Sequence, residues 1–194
     1  MPKLWSETIE SHRHEVQQAI LDTTARLVHR DGIRGVTMSQ IAEEVRIGRA
    51  TLYKYYSDVE AILLAWHERE VATHLQALSM IAHGPGRAVD RLRSVLEGFA
   101  AITRASRDHD PEVGSFLHRN SSDAEDSLRA LIRGLLNEAA AAGDIRTDAK
   151  ADELANFCLH AVGAAGSVPS KAAENRLVAM VMDGLKDLTP HRGV

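Results

Sequence analysis

The chain has 194 residues, 44% of them hydrophobic and 26% charged, with a formal net charge of −4 and one cysteine, Cys158. That hydrophobic share is ample for a packed core, so disordered and fibrous classes are excluded, and one cysteine excludes an intrachain disulfide framework. The charge is unevenly spread. Residues 1–57 hold eight Lys/Arg and seven Asp/Glu, a net of +1, which leaves a net of −5 for the remainder.

Every periodic segment has the helical period. Val16, Ala19, Ile20, Thr23 and Leu27 follow an i, i+3, i+4 track that ends at Asp31-Gly32, with Gly32 expected in the left-handed C′ position. Thr37 and Gln40 have capping-box spacing, so a short helix is expected from Met38, with Ile41, Ala42 and Val45 inward and Glu43 and Glu44 outward. A second short helix is expected over about residues 49–56. It contains all three tyrosines of the chain, Tyr53, Tyr55 and Tyr56, with Lys54 among them. Ser57 and Glu60 repeat the capping-box spacing and open a long helix that Gly84-Pro85-Gly86 stops.

Four further helices and a short one follow. The expected spans are about 87–106, 111–119 behind Asp110-Pro111, 122–142 with Ser122 and Glu125 at its start, one from Thr147 or Asp148 through Gly166, and a last one from Lys171 to Leu188. This is an all-α chain of about nine helices. No apolar run approaches the ~18 residues of a membrane helix, and the polar start lacks the apolar core of a signal peptide. The expectation is a cytoplasmic protein with no membrane association.

Two short helices joined by about four residues, behind a longer one, describe a helix-turn-helix unit. On a helical wheel Ile47, Leu52 and Tyr56 face the preceding helices. Ala50, Tyr53 and Lys54 face outward, with Arg49, Thr51 and Tyr55 at the margins. Small residues followed by long donors suit a helix entering a major groove.

The stretch "GVTMSQIAEEVRIGRATLYKYYSDVEAILLAW" resembles the N-terminal DNA-binding domain of the TetR family of bacterial transcriptional regulators. Thr37, Ile41-Ala42, Thr51-Leu52-Tyr53 and the aromatic Tyr56 carry the resemblance, which spans roughly residues 14–66. It implies a DNA-binding domain over residues 14–74, with the helix-turn-helix at about 37–56, and a helical ligand-binding and dimerisation domain over residues 75–190. The expected DNA contacts are Thr37, Ser39, Arg49, Ala50, Thr51, Tyr53, Lys54 and Tyr55. Two positions depart from the family pattern. Arg46 stands where glycine is usual between the short helices, and a positive φ is expected to strain it by about 1 kcal/mol. Val59 stands where a phosphate-binding lysine is frequent.

The resemblance also implies that the last two helices pack against their two-fold mates. The residues expected at that homodimer interface are Ala161, Ala164, Ala165, Leu177, Met180, Val181 and Leu185. A small-molecule effector is expected among Trp66, Phe99, Ile102, Phe116, Leu117, His118, Asn156 and His160. No metal site or cofactor is expected, because no two of the ten histidines stand at i, i+4 on one helix. No catalytic residue is expected either: there is no Gly-rich phosphate loop, G-x-S-x-G or H-E-x-x-H. The functional expectation is a ligand-responsive repressor that binds a palindromic double-stranded DNA operator. The alternative is a helical small-molecule-binding protein or enzyme that does not bind DNA.

Overall fold

The computed structural model describes residues 3–106 and 122–187. Among these, eight α-helices occur and no strand: α1 Lys3–Asp31, α2 Met38–Val45, α3 Arg49–Leu52, α4 Val59–Ala82, α5 Ala88–Ala105, α6 Ser122–Ala141, α7 Ala151–Gly163 and α8 Lys171–Gly184. The helix expected at 111–119, and with it Phe116, Leu117 and His118, lies outside the described residues. The described residues form two compact units divided at Glu70–Val71, within α4.

In the first unit, α1 begins at Lys3, well before Val16, so His12 and His14 lie within the helix. Its buried stripe is Ile20, Leu21, Thr24, Leu27 and Val28, while Ala19 is exposed and Thr23 half-buried. The expected track is thus displaced toward the larger side chains, which gain more by leaving water. Thr24 is accommodated because its hydroxyl donates to the Ile20 carbonyl at 2.8 Å. Val36, Met38, Ile41, Ala42, Leu52, Ile62 and Leu63 complete this core.

Local backbone chemistry sets the joints. Gly32 has φ 73° and ψ 160°, a region essentially open only to glycine, rather than the left-handed helical conformation expected. Arg46 has φ 60° and ψ 42°, as its replacement of glycine anticipates. The long helix α4 is capped by Asp58, not Ser57. The Asp58 carboxylate accepts from the Ala61 amide at 2.8 Å and from the Ser57 hydroxyl at 2.7 Å, and these bonds hold it below the usual aspartate range. A carboxylate at that position outcompetes a hydroxyl because it also meets the positive end of the helix dipole.

In the second unit, α5 packs against α6, α7, α8 and the 3-10 turn at Ala164–Ser167. The core is built from helical stripes: Leu92, Val95, Leu96 and Ala100 of α5, Ile132, Leu135, Leu136 and Ala139 of α6, Ala155, Cys158, Leu159 and Val162 of α7, and Val178, Val181 and Met182 of α8. Gly143, at φ 74°, ends α6 as expected. The helix expected from Thr147 or Asp148 starts instead at Ala151, because Asp148 is engaged by Arg146 and the Glu153 carboxylate accepts from the Lys150 amide at 2.9 Å. Ser170 caps α8 through the Ala173 amide.

Among the described residues of this unit one carboxylate is buried. Glu174 of α8 is 1% exposed and accepts from Arg104 Nε of α5 at 2.6 Å and from Lys171. Burial pushes its pKa up, but the hydrogen bonds from Lys171 and Arg104 outweigh that, and it lies below the usual glutamate range.

Candidate nucleic-acid interface

Helix α2 starts with a complete capping box. Thr37 Oγ1 accepts from the Gln40 amide at 3.3 Å, and Gln40 Oε1 accepts from the Thr37 amide at 2.8 Å. The Thr37 hydroxyl also donates to Gln40 Oε1 at 2.9 Å, so its only hydrogen is spent within the box. Ser39, in the first turn, is exposed. The box leaves the Met38 and Ser39 amides without an intrahelical acceptor, as at any helix start.

The chain turns at Arg46, whose amide and that of Ile47 return to carbonyls of α2. Gly48, extended at φ −67°, then opens α3. This helix is shorter than the expected eight or so residues. It holds its regular form only over Arg49–Leu52, after which Lys54 and Tyr55 make i−3 bonds to Thr51 and Leu52, and Tyr56 an i−4 bond to Leu52. The tightening at its end lets Tyr55 and Tyr56 both turn toward the core.

Leu52, fully buried, anchors the segment, and Ile47 and Tyr56 pack beside it. The opposite side carries Arg49, Ala50, Thr51, Tyr53 and Lys54, all exposed, with Tyr53 at 49%. Tyr55 is half-buried against the core, and the Arg13 guanidinium of α1 lies over its ring, 5.9 Å from the centroid. Such a contact contributes about 0.5–1 kcal/mol at an exposed site. Sequence reasoning had no means of finding Arg13, because 42 positions separate the pair and no local spacing signals it.

Seven cations of this unit fall into two sets. Arg26 is paired with Glu44, Arg30 with Asp31, and Arg69 with Asp22 and Glu70. Arg13, Arg46, Arg49 and Lys54 make no ion pair among the described residues. The unpaired set lies on the turn, on and just after α3, and against Tyr55.

The family of the chain follows from two matches. Residues 20–66 match the model described as "Bacterial regulatory proteins, tetR family", and residues 85–187 the model "Transcriptional regulator SbtR-like, C-terminal domain". The chain belongs to the TetR family. Among TetR-family relatives, the HTH-type transcriptional regulator HbdR of Aromatoleum sp. (strain CIB) is 26% identical over 157 residues, which are 81% of this chain and 60% of HbdR. The chain therefore spans about three fifths of the length of that relative. A TetR/AcrR-family regulator from Thermobifida fusca superposes with a TM-score of 0.72 at 17% identity, covering 88% of this chain and 98% of the other. FadR of Bacillus subtilis, in complex with stearoyl-CoA, gives 0.65 at 13%, covering 87% and 98%. At these identities the likeness carries the TetR fold. The matched families are regulatory rather than enzymatic.

The other predicted sets are dispersed. Ala165, Val181 and Leu185, expected at a dimer interface, are buried in the chain's own core at 0%, 2% and 0% exposure, because α5 occupies that side of α7 and α8. Ala164 and Met180 are exposed, and Ala161 and Leu177 half-buried. Phe157, not anticipated, is 43% exposed, and its ring lies beside Gly184 of α8, where a Cβ would come within 3.2 Å of it.

Of the expected effector residues, Phe99 and Ile102 pack against the second core, Trp66 packs in the first unit, and Asn156 and His160 are exposed on α7. A groove of about 390 Å³ at the α4–α5 turn is lined instead by Met80, Ile81, Gly84, Pro85, Asp90, Arg91 and Ser94. Among the described residues no cluster of three metal-ligating side chains occurs, and no helix is long and apolar enough to cross a membrane.

Proposed function

We propose that this TetR-family protein is a ligand-responsive transcriptional repressor that binds a near-palindromic operator as a homodimer in the cytoplasm. The observation that carries the reading is the partition of charge on the first unit. Arg26, Arg30 and Arg69 are neutralised by carboxylates, whereas Arg46, Arg49 and Lys54, on the turn and around α3 with exposed Tyr53, make no ion pair among the described residues. A duplex offers phosphates to such a surface, and binding releases their counterions.

In this reading Ala50 and Thr51 meet base edges, where a small side chain fits against a thymine methyl. Arg49, Tyr53 and Lys54 donate to phosphates or guanine edges, Ser39 donates from the start of α2, and Arg46 adds a backbone contact from the turn. Thr37 acts mainly as the cap of α2, since its hydroxyl hydrogen is already spent. Tyr55 contributes its ring rather than its hydroxyl.

The exposed Phe157, Ala164 and Met180, with half-buried Ala161 and Leu177, form the self-complementary face of α7 and α8 in the dimer. Two α3 helices would then stand about 34 Å or somewhat more apart, one turn of DNA. The effector belongs to the second unit, near Phe99 and Ile102. A neighbour of the same fold holding stearoyl-CoA supports a ligand with an aliphatic chain. Ligand binding shifts the population toward a state whose paired α3 helices no longer match successive grooves.

A gel-shift assay with the intergenic duplex beside the protein's own gene tests this. Wild-type protein is expected to retard it, and Lys54→Ala to weaken retardation without dissociating the dimer. Wild-type protein that retards no duplex would overturn the proposal.

A further inference from the structure

Arg13 occupies α1 one turn before Gln17, whose side chain donates to the Tyr56 hydroxyl. It is exposed, and its helix offers it Glu10 at i−3, yet the two make no ion pair. The neighbouring Glu15 faces His12 at 3.9 Å instead. The guanidinium turns to the Tyr55 ring. That ring follows Lys54 directly in the segment whose other side carries Tyr53.

From this we infer that Arg13 is a DNA-backbone contact, so that the surface meeting the duplex extends from α3 onto α1. The inference rests on the DNA-binding reading above. Stacking on Tyr55 confines the long side chain, which lowers the entropy lost when it engages a phosphate. A guanidinium lying over a ring still has its N–H edges free for a bidentate bond to phosphate oxygens. Tyr55 is then the platform for a cation supplied by another helix, which explains why three aromatics stand together: one is tied to the core, one holds Arg13 and one faces outward.

The test uses the full chain and a fluorescently labelled duplex carrying the intergenic DNA beside its gene, titrated at several salt concentrations. Arg13→Ala is expected to weaken binding and to flatten the dependence of log affinity on log salt by about 0.9 for each phosphate no longer neutralised, about twice that for a dimer. Arg13→Lys keeps the charge and is expected to keep the slope. The unfolding temperature is expected to fall by no more than a few degrees for Arg13→Ala, which loses the ring contact, and by less for Arg13→Lys. Wild-type protein that binds while Arg13→Ala retains its affinity and slope would overturn the inference and leave the DNA-binding reading standing. Weaker binding with an unchanged slope and a lowered unfolding temperature would also overturn it, since that marks a purely structural residue. Failure of wild-type protein to bind any duplex removes the reading and the inference together.

Discussion

Gln17 Nε2 donates to the Tyr56 hydroxyl over 3.0 Å, tying α1 to the segment that follows α3. Together with buried Leu52 this bond sets the roll of α3, and so selects which tyrosine faces outward. Adjacent tyrosines therefore answer differently to loss of the same hydroxyl. Tyr56→Phe is expected to lower stability by about 1 kcal/mol, the net worth of a part-buried hydrogen bond. Tyr53→Phe is expected to stay within about 0.5 kcal/mol of wild type and to lose affinity for the duplex. Thermal melting and gel shifts on the two variants separate these roles. The reverse pattern would mean the segment is rolled the other way.

Arg46 holds a left-handed conformation that costs a non-glycine residue about 1 kcal/mol. Arg46→Gly is expected to raise the unfolding temperature slightly, with part of the gain offset by the greater freedom of glycine in the unfolded chain. The same change removes an unpaired cation and is expected to weaken DNA binding and flatten its salt dependence. Stability and affinity should thus move in opposite directions, as read by melting and anisotropy on one preparation.

Glu174 joins α8 to α5 through Arg104. Its pKa is depressed in the folded state, so it contributes stability above the ordinary glutamate range near 4.5 and loses that contribution as pH falls through its lower folded value. Arg104 and Lys171 remain 42% and 55% exposed, so after Glu174→Ala both can rehydrate. The expected loss is about 1–3 kcal/mol, below the roughly 3–5 of a fully dry pair. Glu174→Met, which refills the space with an apolar side chain, is expected within about 1 kcal/mol of wild type at neutral pH. Urea titrations at pH 7 and pH 4 should show the Glu174→Ala deficit shrinking in acid.

Cys158 is fully buried, and burial pushes its thiol up to about 12. It is therefore protonated at neutral pH and shielded as well. Native protein is expected to resist thiol-specific reagents, with full labelling only after denaturation. Rapid labelling of native protein would mean that α7 opens locally.

Phe157 and Met180 are large apolar side chains left in water on α7 and α8. Phe157→Asp combined with Met180→Asp is expected to yield folded monomer by analytical ultracentrifugation, with DNA affinity lost through the missing second reading head. A dimer that survives both changes would place the interface elsewhere.

The helical class, the capping box at Thr37 and Gln40, the positive φ of Arg46 and the sides assigned to Ile47, Leu52, Ala50, Tyr53 and Lys54 were all legible in the amino-acid order. Each is set by neighbours within about one helical turn, where spacing and side-chain chemistry act directly. The identity of a cap was less so: Ser57 and Asp58, two good caps, stand side by side, and it is the Asp58 carboxylate, favoured by the helix dipole, that binds the Ala61 amide.

What the tertiary fold alone decided involves partners far apart in the chain. Arg13 meets Tyr55, Gln17 meets Tyr56 and Arg104 meets Glu174. Small and apolar residues on α7 and α8 suit a homodimer face and an intrachain core equally well. Ala165, Val181 and Leu185 went to the core and Met180 to water because α5 covers one side of those helices, a packing choice that a helix's own periodicity does not encode.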